Sequence, residues 1–105
     1  MKLDAYKYQL DNNPERWLKR AGYAMIHSRE SDEASFARRL TADFYPRFHI
    51  YLSDRIVGGK EIVSINLHLD QKKPGYEGQN RHNAEYDGPV VENEAKRLAQ
   101  FLSPA

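Results

Sequence analysis

The chain of 105 residues contains no cysteine. Disulfides, thiolate nucleophiles and cysteine-ligated zinc sites are therefore excluded, and this composition is typical of a reducing compartment. No serine lies in a G-x-S-x-G elbow, so a serine hydrolase is not predicted. The mean hydropathy is −0.83, and no run approaches the roughly 20 apolar residues of a membrane span. Because the first residues also lack the apolar core of a signal peptide, we expect a cytoplasmic protein with no membrane partner.

The net charge is small as well. Sixteen basic and fifteen acidic residues give a formal charge of +1, so no overall field draws the chain onto nucleic acid or a membrane.

With 40% hydrophobic and 30% charged residues, the composition is that of a globular protein rather than a disordered one. The length suits one hydrophobic core, and no repeat or linker interrupts the chain, so we predict a single α+β domain over residues 1–105.

Two helices are predicted, one towards each end of the chain. Asn13 suits the N-cap of the first helix, and Pro14 suits its first helical position. The second helix is predicted over residues 89–102, with Glu94 and Arg97 as a solvent-facing pair. Its apolar stripe consists of Val91, Ala95, Leu98 and Leu102.

The strongest structural prediction is a β-hairpin. Residues 48–52 and 62–69 alternate between apolar and polar side chains, and Gly58-Gly59 lies between them. A two-residue turn at these glycines makes every pair on one face apolar, as burial of that face requires. The apolar pairs are Leu52/Ile65, Ile50/Leu67 and Phe48/Leu69. The pairs on the opposite face are Tyr51/Asn66, His49/His68 and Arg47/Asp70.

The remaining segments complete the predicted fold. Residues 23–27 are predicted to form a strand, whereas residues 31–45 fit a helix or a strand, because Phe36 and Leu40 share a face in both. We predict a strand there, since a hairpin needs a third strand for stability. Residues 71–87 lack periodicity and are predicted to be a long loop. The result is a two-layer α+β domain, an antiparallel sheet of three to five strands with both helices on one face and the other face uncovered.

The uncovered face carries a predicted metal site. His49 and His68, directly opposed on adjacent strands, have Cβ atoms about 5 Å apart. This separation lets both imidazoles bind one ion at about 2.0–2.1 Å each. His82, after the second strand, is predicted as a third ligand. Asp70 or Glu85 would be a fourth ligand or a general base acting on bound water, so we expect a zinc-type site with hydrolytic chemistry.

The same face supports two alternatives. In the metal site, Arg47 would orient an anionic substrate. In the first alternative, the face binds RNA or single-stranded DNA: Arg39 and Arg47 would contact phosphates, and the Tyr51 ring would stack on a base. His49 and His68 would then serve as acid and base in RNA cleavage. The second alternative is a protein-interaction domain without catalysis, in which the sheet face or an edge strand pairs with another chain, as in a homodimer.

Overall fold

The structure is a computed structural model that describes residues 1–27, 34–72, 82–85 and 87–105, with the backbone alone for Lys72 and residues 82–85. The strands are β1 (Lys2–Tyr6), β2 (Ala24–His27), β3 (Ala34–Arg39), β4 (Arg47–Val57), β5 (Lys60–Lys72) and β6 (His82–Glu85). The helices are a 3₁₀ helix (Lys7–Leu10), α1 (Pro14–Arg20) and α2 (Pro89–Gln100). Among the described residues, none of these helices has the length and apolar character needed to cross a bilayer.

The strands form one antiparallel sheet, as predicted, but it has six strands rather than three to five, because β6 adds to β5. Five of them follow the order β1-β5-β4-β3-β2, and β6 pairs with β5 beyond the end of β1. The β4–β5 hairpin turns at Gly58 and Gly59, whose φ values of 58° and 76° suit glycine. Its register has Ile50 opposite Leu67 and His49 opposite His68. The predicted hairpin and its register are therefore confirmed.

The strand predictions elsewhere are partly wrong. The N-terminal helix is predicted as the first element of the chain, but β1 precedes it and is stabilised by pairing with β5. The segment 71–87, predicted as loop, contains the end of β5 and all of β6; residues 73–81 and 86 lie outside the described part of the chain. The ambiguous stretch is a strand over Ala34–Arg39, as predicted, because it pairs with β2 on one side and β4 on the other.

The apolar core joins side chains of the sheet to side chains of both helices. Its largest fully buried apolar side chains are Leu10, Leu18, Ile50, Ile65, Leu67, Leu98, Val63 and Val91. Trp17 of α1 belongs to the same cluster, and its indole N–H donates to the Phe101 carbonyl at 3.1 Å. This bond ties α1 to the residue after α2. Side chains that alternate with the core residues along β4 and β5 lie on the opposite face of the sheet.

The start of α1 matches the prediction and is testable. The Asn13 side chain accepts a hydrogen bond from the Arg16 backbone N–H at 3.1 Å, and Pro14 is the first helical residue. Because removal of the cap leaves this N–H without its partner, Asn13→Ala should lower the free energy of unfolding by about 1 kcal/mol. Asn13→Ser keeps an accepting oxygen and should stay within about 0.3 kcal/mol of the wild type. Denaturant unfolding measures both; an alanine variant of unchanged stability would contradict the cap.

One predicted surface residue of α2 is buried. Glu94 is 3% exposed, and it accepts hydrogen bonds from the Tyr23 hydroxyl at 2.5 Å and from Arg97 Nε at 2.6 Å. Burial and the bond to Glu94 both raise the pKa of Tyr23. The predicted pair of Glu94 with Arg97 forms, but the prediction that Glu94 faces solvent is wrong. The carboxylate is buried because Tyr23 and Arg97 donate hydrogen bonds to it inside the protein. Arg97 also donates to the Ala21 carbonyl at 2.7 Å, which fixes α2 against the end of α1. The helix ends at Gln100, two residues before the predicted end.

Candidate metal centre

Three potential metal ligands meet on the sheet face opposite to the core. His49 of β4 and His68 and Asp70 of β5 alternate with the buried residues Ile50 and Leu67 along their strands. The two histidines are opposed, as the register predicts, and their ring centroids are 5.0 Å apart. One ligand atom from each of the three side chains lies within 4.8 Å of the other two. The strand pairing therefore places all three within reach of one ion.

Asp70 lies between the two histidines. Its Oδ2 is 3.0 Å from His49 Nδ1, and its Oδ1 is 2.9 Å from His68 Nε2. Burial raises the pKa of the Asp70 carboxyl, but the hydrogen bonds from His49 and His68 outweigh that effect and hold the pKa well below its usual range. Asp70 is therefore ionised at neutral pH. Because an ionised carboxylate only accepts, both histidines donate an N–H to it.

His49 has a second partner, which the sequence pattern does not predict. Its Nε2 is 2.8 Å from the hydroxyl of Ser35, which is buried in β3. The chain Ser35–His49–Asp70 has the order of a catalytic triad. Ser35, however, lies between β2 and β4, where the sheet ladders use the backbone N–H groups that an oxyanion hole would need. We therefore assign Ser35 the role of orienting the His49 ring.

The site is more enclosed than predicted. This face of the sheet is predicted to be uncovered, but His49, His68 and Asp70 are each only 8% exposed. One reason is Tyr51, whose ring centroid lies 4.5 Å from that of His49 and 5.6 Å from that of His68. A cavity of about 290 Å³, lined also by Asn66, extends to Tyr51 and His68. Of the three candidate ligands, the cavity reaches His68, so it gives an ion or small molecule access to that side chain.

The other predicted site residues have different outcomes. Arg47 lies beside the ligands, with its Nε 3.5 Å from Asp70 Oδ2. Asp70, predicted as a fourth ligand or a base, provides the third donor of the group. The backbone of His82 is opposite Lys72 in the sheet, but the side chains of His82 and Glu85 lie outside the described part of the structure. Their roles remain predictions.

Comparisons with known proteins give no match. No protein-family model fits the chain, and neither a curated protein nor a solved structure is similar to it. The function is therefore inferred from the side chains of the site. Within the described ranges, His49, His68 and Asp70 are the one group of three histidine or carboxylate side chains placed to hold a single metal ion.

Proposed function

We propose that the protein binds a divalent transition-metal ion through His49, His68 and Asp70, with zinc as the first candidate. The spacing of the donor atoms carries the proposal, since the Asp70 oxygens lie 2.9 and 3.0 Å from the two ring nitrogens. Bonds of about 2.0–2.1 Å in a tetrahedral zinc site place neighbouring ligand atoms about 3.3 Å apart. Small side-chain shifts would let the ion replace the two N–H protons between these groups.

The chemistry of the donors also supports this function. Two imidazoles and an ionised carboxylate are zinc ligands, and three protein ligands leave a coordination position for water. A metal-bound water is a nucleophile at neutral pH, so hydrolysis is the activity we propose. We also infer that both helices cover the apolar face of the sheet, because Leu18 of α1 and Leu98 of α2 share one buried cluster with Ile50. This arrangement leaves the ligand face to the strands.

Ser35 should affect metal affinity without being a ligand. When Nδ1 of His49 binds the ion, its Nε2 carries the proton and donates to Ser35 Oγ, 2.8 Å away. Loss of such an outer hydrogen bond typically weakens metal binding by about 10- to 100-fold. We expect Ser35→Ala to weaken zinc binding about tenfold. Ser53→Ala, which replaces an exposed serine of β4, is the control and should bind like the wild type.

Calorimetric titration of untagged protein with zinc at neutral pH tests the proposal. The wild type should saturate at one ion per chain. Failure of the wild type to bind zinc would contradict the metal site, whereas equal affinity of the wild type and Ser35→Ala would contradict the assigned orientation of His49. Circular dichroism of each variant shows whether the fold is retained.

A further inference from the structure

Two arginines lie side by side next to the proposed ligands. Arg39 of β3 and Arg47 of β4 are direct partners in the sheet, and Arg47 Nε is 3.5 Å from Asp70 Oδ2. Directly opposed residues of antiparallel strands have Cβ atoms about 4.5–5.5 Å apart, and like charges in these positions repel each other. The ligand face therefore holds two neighbouring positive groups whose repulsion a bound anion would relieve.

Both guanidinium groups contact aromatic rings from the connection between β3 and β4. Arg39 Cζ is 4.1 Å from the ring centroid of Phe44, and Arg47 Cζ is 4.8 Å from that of Tyr45. Phe44 is 63% exposed, so its ring serves this contact rather than the core. A ring packs on the flat face of a guanidinium and leaves the in-plane N–H groups available to donate. The two cations are thus held in place with donors available.

Few carboxylates neutralise these two cations. Within the described residues, Arg47 forms one ion pair, with Asp70 at 3.5 Å, and Arg39 forms none. Arg55 provides a comparison on the same face of β4, because its guanidinium pairs with Asp4 at 3.1 Å. A divalent ion at the proposed site would add two further positive charges. The combined charge favours a ligand that carries two negative charges.

We propose that Arg39 and Arg47 bind the phosphate group of a small phosphomonoester beside the metal ion held by His49, His68 and Asp70. The choice of substrate class rests on the proposed function, but the arginine pair is formed without an ion. Guanidinium groups match phosphate oxygens with paired N–H donors. A phosphomonoester carries about −1.5 to −2 charges at neutral pH, so it offsets both cations, whereas a carboxylate or a phosphodiester carries one.

Binding of inorganic phosphate to chelator-treated protein tests the arginine site without metal. The wild type should bind phosphate, and Arg39→Ala and Arg47→Ala should each weaken binding about tenfold or more, because each loses charge-assisted hydrogen bonds. Arg55→Ala, which removes the same charge from the same face, should stay within about twofold. Equal affinity in the wild type and both arginine variants, or no binding at millimolar phosphate, would overturn the proposal.

Zinc-loaded protein separates this proposal from the metal proposal. Phosphate should bind more tightly when zinc is present, and zinc more tightly when phosphate is present, since coupling between two sites is reciprocal. If the wild type takes up no zinc but its phosphate binding still depends on Arg39 and Arg47, the phosphate site stands and the metal site is wrong. If phosphate binds to the zinc-loaded protein with equal affinity in the wild type and the arginine variants, the phosphate site is wrong.

A short single-stranded RNA distinguishes a monoester ligand from a polynucleotide. We expect RNA to bind no more tightly than inorganic phosphate, because the chain has a net charge of only +1 and the site offers two arginines. RNA binding that is tighter than phosphate binding and falls steeply with added salt would overturn the monoester assignment in favour of a nucleic-acid surface.

Discussion

Replacing His68 with alanine is expected to abolish stoichiometric zinc binding and to leave the protein folded. His68 supplies one of three donor atoms, and the two remaining donors cannot enclose an ion. Structural zinc sites with four ligands bind the ion with a free energy of about 10–16 kcal/mol. Each ligand therefore contributes about 3 kcal/mol, which corresponds to more than 100-fold in affinity. The fold should persist because the side chain lies on the face opposite to the apolar core and Asp70 keeps its hydrogen bond from His49. Zinc titration by calorimetry measures the loss.

His49→Ala should give the same result, because His49 supplies an equivalent donor. His27 provides the matched control, since it is an exposed histidine in β2. His27→Ala should therefore bind zinc with the affinity of the wild type. If His68→Ala retained that affinity while remaining folded, the ion would be bound by other residues and the proposed ligand set would be wrong.

Asp70→Ala is expected to destabilise the metal-free protein by about 2–3 kcal/mol. The substitution leaves the N–H groups of His49 and His68, both in buried residues, without their acceptor, and an unsatisfied buried group costs about 1–3 kcal/mol. Arg47 also loses its ion-pair partner. For a domain of this size, about 1 kcal/mol shifts the Tm by roughly 4–8 °C, so the Tm should fall by roughly 10–20 °C. Thermal unfolding in the presence of a chelator measures the change.

Two variants control for this result. Asp70→Asn keeps one acceptor oxygen and should lose less stability than Asp70→Ala. Asp54→Ala, which removes an exposed carboxylate of β4, should unfold close to the wild type. An Asp70→Ala protein as stable as the wild type would show that the two histidines do not depend on Asp70 for their hydrogen bonds.

Asp70 should also give the metal-free protein a pH-dependent stability. Its carboxyl has an ordinary pKa of 3.8. In the folded protein burial raises this pKa, but the hydrogen bonds from His49 and His68 lower it by more, so the folded pKa lies below the ordinary value. The unfolded chain therefore binds a proton more readily than the folded protein, so acid favours unfolding. The stabilisation is present above about pH 4 and is lost as the pH falls through the folded pKa. Asp70→Asn should show a flatter loss of stability below about pH 4 in denaturant unfolding.

The hairpin that carries the site could be predicted residue by residue. Gly58-Gly59 sets a short turn between the two strands. Because apolar residues alternate along both strands, only one way of pairing them places all the apolar side chains on the same face, where they can be buried. This local information places His49 opposite His68. It also places Arg47 opposite Asp70, as the structure has them.

The rest of the site depends on contacts between distant segments, which carry little local pattern. Ser35 reaches His49 only because β3 pairs with β4 in one particular register. The two-histidine environment of Asp70 depends on side-chain geometry that strand parity does not determine. Likewise, the burial of Glu94 relies on Tyr23, which lies 71 residues away in the chain. Such features follow from the packed structure rather than from periodicity.

Elemental mass spectrometry of untagged protein, loaded with zinc and dialysed against metal-free buffer, tests the metal site most directly. The wild type and His27→Ala should retain about one zinc ion per chain. His68→Ala should retain less than roughly a tenth of that amount. A wild type without bound zinc, or equal zinc in the wild type and folded His68→Ala, would contradict the proposal that His49, His68 and Asp70 bind the ion.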